Sequence, residues 1–67
     1  MEYCFIKNEI VEEILVCDEA FAEAYTADKS YDSYVERPSN VGLGMIYRSG
    51  KFYQIIDGEE VEVVPAN

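Results

Sequence analysis

"IVEEILVCDEAFAEAY", Ile10 to Tyr25, changes its pattern halfway along, and that change sets the fold class. Ile14 to Cys17 are apolar without a break, as in a strand buried on both faces and therefore central in a sheet. Asp18 then offers a short oxygen-bearing side chain where the first amide hydrogens of a helix need acceptors. In the "EAFAEAYTA" that follows, Phe21, Ala24 and Tyr25 recur at helical spacing, with Glu19 and Glu23 outside them. A strand passing directly into a short helix that lies on one face of a sheet makes the chain α+β.

Upstream, β-branched and aromatic residues on both sides of "KNE" predict a hairpin. With Asn8-Glu9 as a two-residue turn, Lys7 faces Ile10 and Cys4 faces Glu13, which leaves Cys17 without a partner in register. Two reduced, packed thiols are favoured over a disulfide, and no second cysteine pair or histidine completes a zinc site.

Downstream, "DKSYDSYVERPSN", Asp28 to Asn40, is rich in turn formers and closes on Arg37-Pro38, where helix is discouraged. A loop with one short edge strand near Tyr34 to Glu36 is expected. Tyr31 and Tyr34 are either anchors for a partner or a cover folded back on the core. Two turn signals follow, Ser49-Gly50 and Asp57-Gly58, so Val41 to Val64 reads as a three-stranded meander. Its register opposes Arg48 to Lys51, Tyr47 to Phe52, Met45 to Gln54 and Leu43 to Ile56, then Ile56 to Glu59, Gln54 to Val61 and Phe52 to Val63. Alternation places Leu43, Met45, Tyr47, Phe52, Ile56, Val61 and Val63 on the core side with Gln54. The other face collects Ile46, Tyr53, Ile55, Glu60 and Glu62, half apolar and half acidic, a surface suited to a docking partner. The terminal "PAN" reads as a frayed end. The expected architecture is one small acidic α+β domain over residues 1–67: an N-terminal hairpin and a C-terminal meander in a small antiparallel sheet, with one short helix on one face.

Gly42 and Gly44 form a Gly-x-Gly, but a phosphate loop needs such glycines after a strand and at the start of a helix. Here they precede the strand-like Met45-Ile46-Tyr47. They fit a bulge or a close approach better, with Ile55 covering Gly44 from the next strand. With no histidine, Ser-His and Cys-His nucleophile systems are excluded. Glu12-Glu13, Asp18-Glu19 and Glu59-Glu60 are sequence neighbours, so on strands they point to opposite faces and do not converge as an acid/base pair. "DGEEVE", Asp57 to Glu62, lacks the ligand spacing of a calcium loop. No catalysis, cofactor or metal is expected.

A chain of 67 residues buries only about 60% of the surface it exposes when unfolded. Its 49% hydrophobic content suits a folded domain, while 14 acidic against 5 basic residues is extreme for that length. There is no basic leader and no apolar run of about 18 residues, so an intracellular, soluble protein without membrane contact is expected. Residues 37–56 hold three positive charges and no negative one. Those cations suit the edge of a hairpin better than a nucleic-acid surface, because an anionic domain repels phosphate. The acids of the first half, Glu9, Glu12, Glu13, Asp18, Glu19, Glu23, Asp28, Asp32 and Glu36, are dense enough to imitate the phosphates of a nucleic acid before a basic groove.

"IVEEILVCDEAFAEAY" followed by "YVERPSNVGLGMIYRSGKF" resembles small proteins and modules encoded among phage tail and tail-fibre genes. Val41, Gly42, Gly44, Tyr47, Gly50 and Phe52 carry the resemblance, which covers most of residues 1–53. Met45 stands where tryptophan is frequent, Arg48 where an acid is frequent, and Glu59 to Val64 add a strand. The resemblance implies a phage or prophage origin, a β-rich fold and no catalysis. Two roles then compete: an inhibitor of a host nucleic-acid-handling protein in the manner of anti-CRISPR proteins, in the cytoplasm of the infected bacterium, or a structural or assembly module of the phage tail, in the virion.

Overall fold

The computed structural model describes residues 1–66. In chain order the elements are β1 (Glu2–Lys7), β2 (Ile10–Val16), α1 (Glu19–Asp28), β3 (Ser33–Glu36), β4 (Ile46–Arg48), β5 (Lys51–Ile56) and β6 (Glu59–Val63). The strands form one antiparallel sheet in the order β3-β1-β2-β4-β5-β6, with α1 on one face. The N-terminal hairpin, the short edge strand, a three-stranded meander and the helix are all present, with the hairpin register and the length of the meander differing from expectation.

Three two-residue turns fold the hairpins, and both central residues have positive φ in each: Asn8-Glu9, Ser49-Gly50 and Asp57-Gly58. This is the conformation whose twist matches that of the flanking strands, and it suits Asn, Asp and Gly. Glu9, at φ 67°, is the misfit. Left-handed backbone costs a residue with a Cβ about 1–2 kcal/mol, while glycine costs more entropy on folding. Glu9→Gly relieves that cost but also removes an exposed ion pair between Glu9 and Arg48, so a small net stabilisation of about 0–0.5 kcal/mol is expected, read as a Tm rise of no more than about 3 °C in a thermal melt.

The first hairpin departs from a simple register. Lys7 opposes Ile10 as expected, but the pairing shifts between Phe5 and Ile6, and Cys4 faces Ile14 rather than Glu13. The extra residue is Glu12, which bulges out between Val11 and Glu13. The physical reason is burial. Without the bulge Glu13 would sit beside Cys4 inside an apolar cluster; with it, Ile14 takes that place and Glu13 turns to the helix side. Cys4 and Cys17 are both free, and they pack on different faces of the sheet.

Each face has its own core. On the helix side, Tyr3, Phe5 and Ala22 are buried, with Leu15, Cys17, Tyr25, Tyr31 and Tyr34 around them. The buried stripe of α1 is Ala22 and Tyr25, so Phe21 and Ala24, expected inward, lie outside; Phe21 is 50% exposed and stacks on Tyr25. A small residue at position 22 lets the helix approach the sheet, and tyrosines supply the bulk. The Asp18 carboxylate accepts from the Phe21 amide at 2.8 Å and starts the helix as expected. Its far end closes through Ser30 at φ 60°, with the Ser30 and Tyr31 amides donating to Ala27 and Thr26, a Schellman arrangement without glycine. That closure returns Tyr31 to Phe5, ring centroids 5.6 Å apart, while Tyr34 meets Tyr3 at 5.9 Å. Tyr31 in the loop and Tyr34 on β3 both cover the core.

On the opposite side, Cys4, Ile6, Val11, Val41 and Phe52 are buried. Val35 of β3 and Val63 of β6, from the two edges of the sheet, pack on this one cluster, so the sheet curls toward it. The β3–β4 connection closes the concave side: Val41 is fully buried, and the Arg37 guanidinium donates to its carbonyl at 2.6 Å. Ala66 is held by Ser39 and Asn40, which corrects the expectation of a frayed end for that residue; Asn67 lies outside the described residues.

The meander is shorter than its sequence pattern. β4 pairs with β5 only over Ile46–Arg48, so the Met45–Gln54 and Leu43–Ile56 pairs do not form. Instead Gly44 and Met45 together oppose Val11 of β2, with Val11 N–H donating to Met45 at 2.8 Å and Gly44 N–H donating to Val11 at 2.9 Å. Gly44, at φ 86°, is thus the first residue of a glycine bulge, and Ile55 does not cover it. This diverts the chain into the Val41 plug and leaves Leu43 66% exposed, with Ile56 and Val61 also outside the core, against their expected inward placement. Nothing in the structure explains glycine at position 42.

Candidate functional site

Strand direction sorts the surface by height. Lys7 ends β1, Arg48 and Lys51 flank the Ser49-Gly50 turn, and Lys29 caps the C-terminus of α1, all at the end of the sheet where the Asn8-Glu9 turn lies. At the other end lie Val16, the start of α1, Glu36, Leu43, Ile55 and Ile56, with Arg37 the cation there, engaged by Glu2 at 2.9 Å. Four of the five cations gather at one end, beside Glu9, Asp28 and Asp32, and the other end is acidic and apolar.

The nine acids expected to form a binding surface divide into two groups. Four hold the fold together. Glu9 pairs with Arg48 at 3.3 Å, Asp18 caps α1, and Asp32 accepts from the Asn8 amide at 2.8 Å, tying the first turn to the segment before β3. Glu13 is half-buried and accepts from the hydroxyls of Tyr25 at 2.9 Å and Tyr31 at 2.7 Å. It is a hinge between sheet, helix and loop, and that corrects its placement among surface acids. The Glu13 carboxylate, with burial, pushes the Tyr31 phenol up to about 12 and raises Tyr25.

The other five, Glu12, Glu19, Glu23, Asp28 and Glu36, are exposed, and among the described residues none pairs with a cation. Three of them lie on the side of the Tyr3–Tyr34 edge-to-face pair: Glu36 faces Tyr3 across the β1–β3 ladder, Glu19 is within reach of the Tyr34 hydroxyl, and Glu23 follows one turn along α1. Tyr34 donates to Glu19 at 3.4 Å. Partial burial, then the field of Glu19 and Glu23, raises the Tyr34 phenol; burial, Glu19 and Glu36 do the same for Tyr3. Asp28 stands at the far end of the helix and Glu12 on the β2 bulge, so neither joins this group.

The second expected surface is only partly available. Ile46 is 9% exposed and belongs to the core, a correction. It pairs with Ile10 of β2 on one side and Tyr53 of β5 on the other. Tyr53 is half-buried beneath the Arg48 guanidinium, 5.7 Å from the ring centroid. Arg48 also grips Glu60 at 2.9 Å and so links the first turn to β6. Ile55 and Glu62 are exposed as expected.

What sequence reasoning missed is an apolar end. Leu43, Ile55, Ile56 and Val61 are exposed where β4 stops short, because β5 and β6 run on beyond it as a two-stranded ribbon. The early glycine bulge was the available signal. An open cleft of about 440 Å³ lies between Glu2, Arg37, Pro38, Ser39 and Pro65. Its cation is committed to Glu2 and to the Val41 carbonyl. Among the described residues no three cysteine or carboxylate side chains come together as metal ligands, and no helix is long and apolar enough to cross a membrane. No family model, curated protein or solved structure matches the chain.

Proposed function

We propose that the chain is a phage-type, non-catalytic binding protein that blocks a basic, nucleic-acid-binding surface of a host defence protein, as an acidic nucleic-acid mimic in the anti-CRISPR manner. One observation carries the reading: Glu19, Glu23 and Glu36 are exposed on the α1–β3 side of the molecule that carries Tyr3 and Tyr34, and among the described residues no cation pairs with them. Duplex DNA presents one charge per about 1.7 Å of axis, and a rigid helix beside a strand end can offer carboxylates at comparable density to a basic groove. A net charge of −9 on 67 residues also favours rapid encounter with such a groove. The site of action is then the cytoplasm of an infected bacterium.

The test is capture from bacterial lysate at low and high salt, followed by release with a duplex oligonucleotide. A captured nucleic-acid-binding protein that is released by both is the expected result. The triple variant Glu19→Lys, Glu23→Lys, Glu36→Lys is expected to weaken that binding at least about tenfold while remaining folded, its Tm lowered by about 5 °C or less through the loss of the first-turn acid Glu19. Unchanged binding would overturn the mimic. A second reading, a structural or assembly module of a phage tail, is favoured by the exposed Leu43, Ile55, Ile56 and Val61. Capture of virion proteins alone, indifferent to salt, would establish that alternative.

A further inference from the structure

The geometry points to the free edge of β6 as a docking site for an extended, Lys- or Arg-bearing segment of a partner protein, added as a seventh strand. β6 is the last strand of the sheet and pairs regularly with β5 from Ile56↔Glu59 to Phe52↔Val63. In a two-residue hairpin the residues flanking the turn exchange hydrogen bonds, so alternation turns the N–H and C=O of Glu60 and Glu62 away from β5. The same parity aims the Val64 carbonyl outward, and there Asn40 Nδ2 takes it at 2.8 Å. The edge is therefore capped at its C-terminal end and open along the strand.

Natural edges are usually blunted by proline, charged side chains, a bulge or a covering element. Over Glu59–Val63 the β6 edge has only the second of these, three glutamates, and a guard of one sign is lifted by a partner of the other; its side chains from Glu59 to Glu62 are exposed, Val61 included at 41%. The opposite edge differs: β3 has four residues and ends at Arg37-Pro38.

Charge selects the occupant. Glu60 and Glu62 project from one face and Glu59, Val61 and Val63 from the other. A second copy pairing through the same edge would set these acids against one another, and like charges across a strand pair are unfavourable. A basic segment reverses the sign. Glu62 pairs with no cation among the described residues, while Glu60 already holds Arg48 from two strands away, an ion pair of the kind the added strand would extend. The fitting sequence alternates: a cation across from Glu62, an aliphatic residue across from Val61, and a second cation near Glu60. This surface is separate from the one around Tyr34, and its occupancy does not depend on nucleic-acid mimicry.

The probe is a seven-residue peptide alternating lysine and valine, titrated against the whole chain at low salt, with amide exchange followed by NMR. Saturable binding with slowed exchange at Glu60 and Glu62 is expected. Glu62→Pro removes an outward N–H without touching the β5 ladder and is expected to weaken binding at least tenfold. Glu62→Lys, which keeps the strand, is expected to do the same and to admit an alternating glutamate-valine peptide instead. Glu19→Lys with Glu23→Lys is expected to change the affinity less than threefold. The proposal is overturned by no binding, by equal binding of an alternating lysine-proline peptide, or by slowed exchange confined to α1. Concentration-dependent protection of Glu60 and Glu62 without peptide, together with a dimer in sedimentation, would assign the edge to a second copy and overturn it too.

Discussion

Phe5→Ala is expected to cost about 3–5 kcal/mol and to leave a large share of the protein unfolded in water. A chain of 67 residues holds about 3–10 kcal/mol of stability in total, so one such loss is most of it. Phe5 is fully buried on β1, the strand between β2 and β3, and its ring meets Tyr25 edge-on at 5.0 Å and Tyr31 at 5.6 Å. Like Glu13, it joins the sheet to the helix and to the loop after the helix, but through apolar contact, so its removal opens a cavity at the junction of all three. Urea melts followed by circular dichroism check this. Phe21→Ala is the control, because half of that ring is already in water; its cost should stay under about 1.5 kcal/mol. A Phe5→Ala midpoint close to wild type would mean that α1 is held by something other than this cluster.

Glu13→Ala is expected to lower Tm by about 10 °C and to reshape the alkaline limb of stability. Its carboxylate accepts from two tyrosine hydroxyls that no other group among the described residues receives. The sign of the pH effect follows from the Tyr31 phenol, raised from 10.0 to about 12 mainly by its hydrogen bond to Glu13. A pKa raised on folding stabilises fully below pH 10 and loses that contribution as pH climbs to 12. Burial likewise raises the Cys4 thiol from 9.0 to about 11, so its share is lost between those values. Wild-type stability should therefore decline from pH 9 upward. In Glu13→Ala the part due to Tyr31 should shrink and the Cys4 part should remain, as melts at pH about 8, about 10 and about 11.5 can show. A matching prediction concerns binding: Glu13→Ala destabilises but leaves partner affinity alone, the reverse of the α1 and β3 charge reversals.

How far each feature could be read in advance depended on the distance over which it is decided. The Asp18 cap, the strand-to-helix change after Cys17 and the turns at Asn8, Ser49 and Asp57 all stand where the sequence puts them, because each is settled by backbone torsions and hydrogen bonds within about four residues. The inward face of α1 was misjudged by one position: Phe21 is the more apolar residue, but Ala22 is the one small enough to let the helix close on Tyr3 and Phe5. Glu13 could not be told from Glu12 on composition, since the choice between a tyrosine acceptor and a solvated acid was made by a bulge.

The α+β class, the hairpin positions, the helix start and the excess of negative charge were all legible in the amino-acid order, because each is a local or additive property of the chain. Which acids remain available, where β4 stops and which strand edge lies open were settled by packing in three dimensions. Those outcomes depend on residues distant in the chain competing for the same space. Ile14 displaces Glu13 from the apolar cluster through the Glu12 bulge, and Val41 is drawn beneath the curled sheet at the expense of a longer β4. Burial is shared among all the elements at once, so no single segment carries the answer.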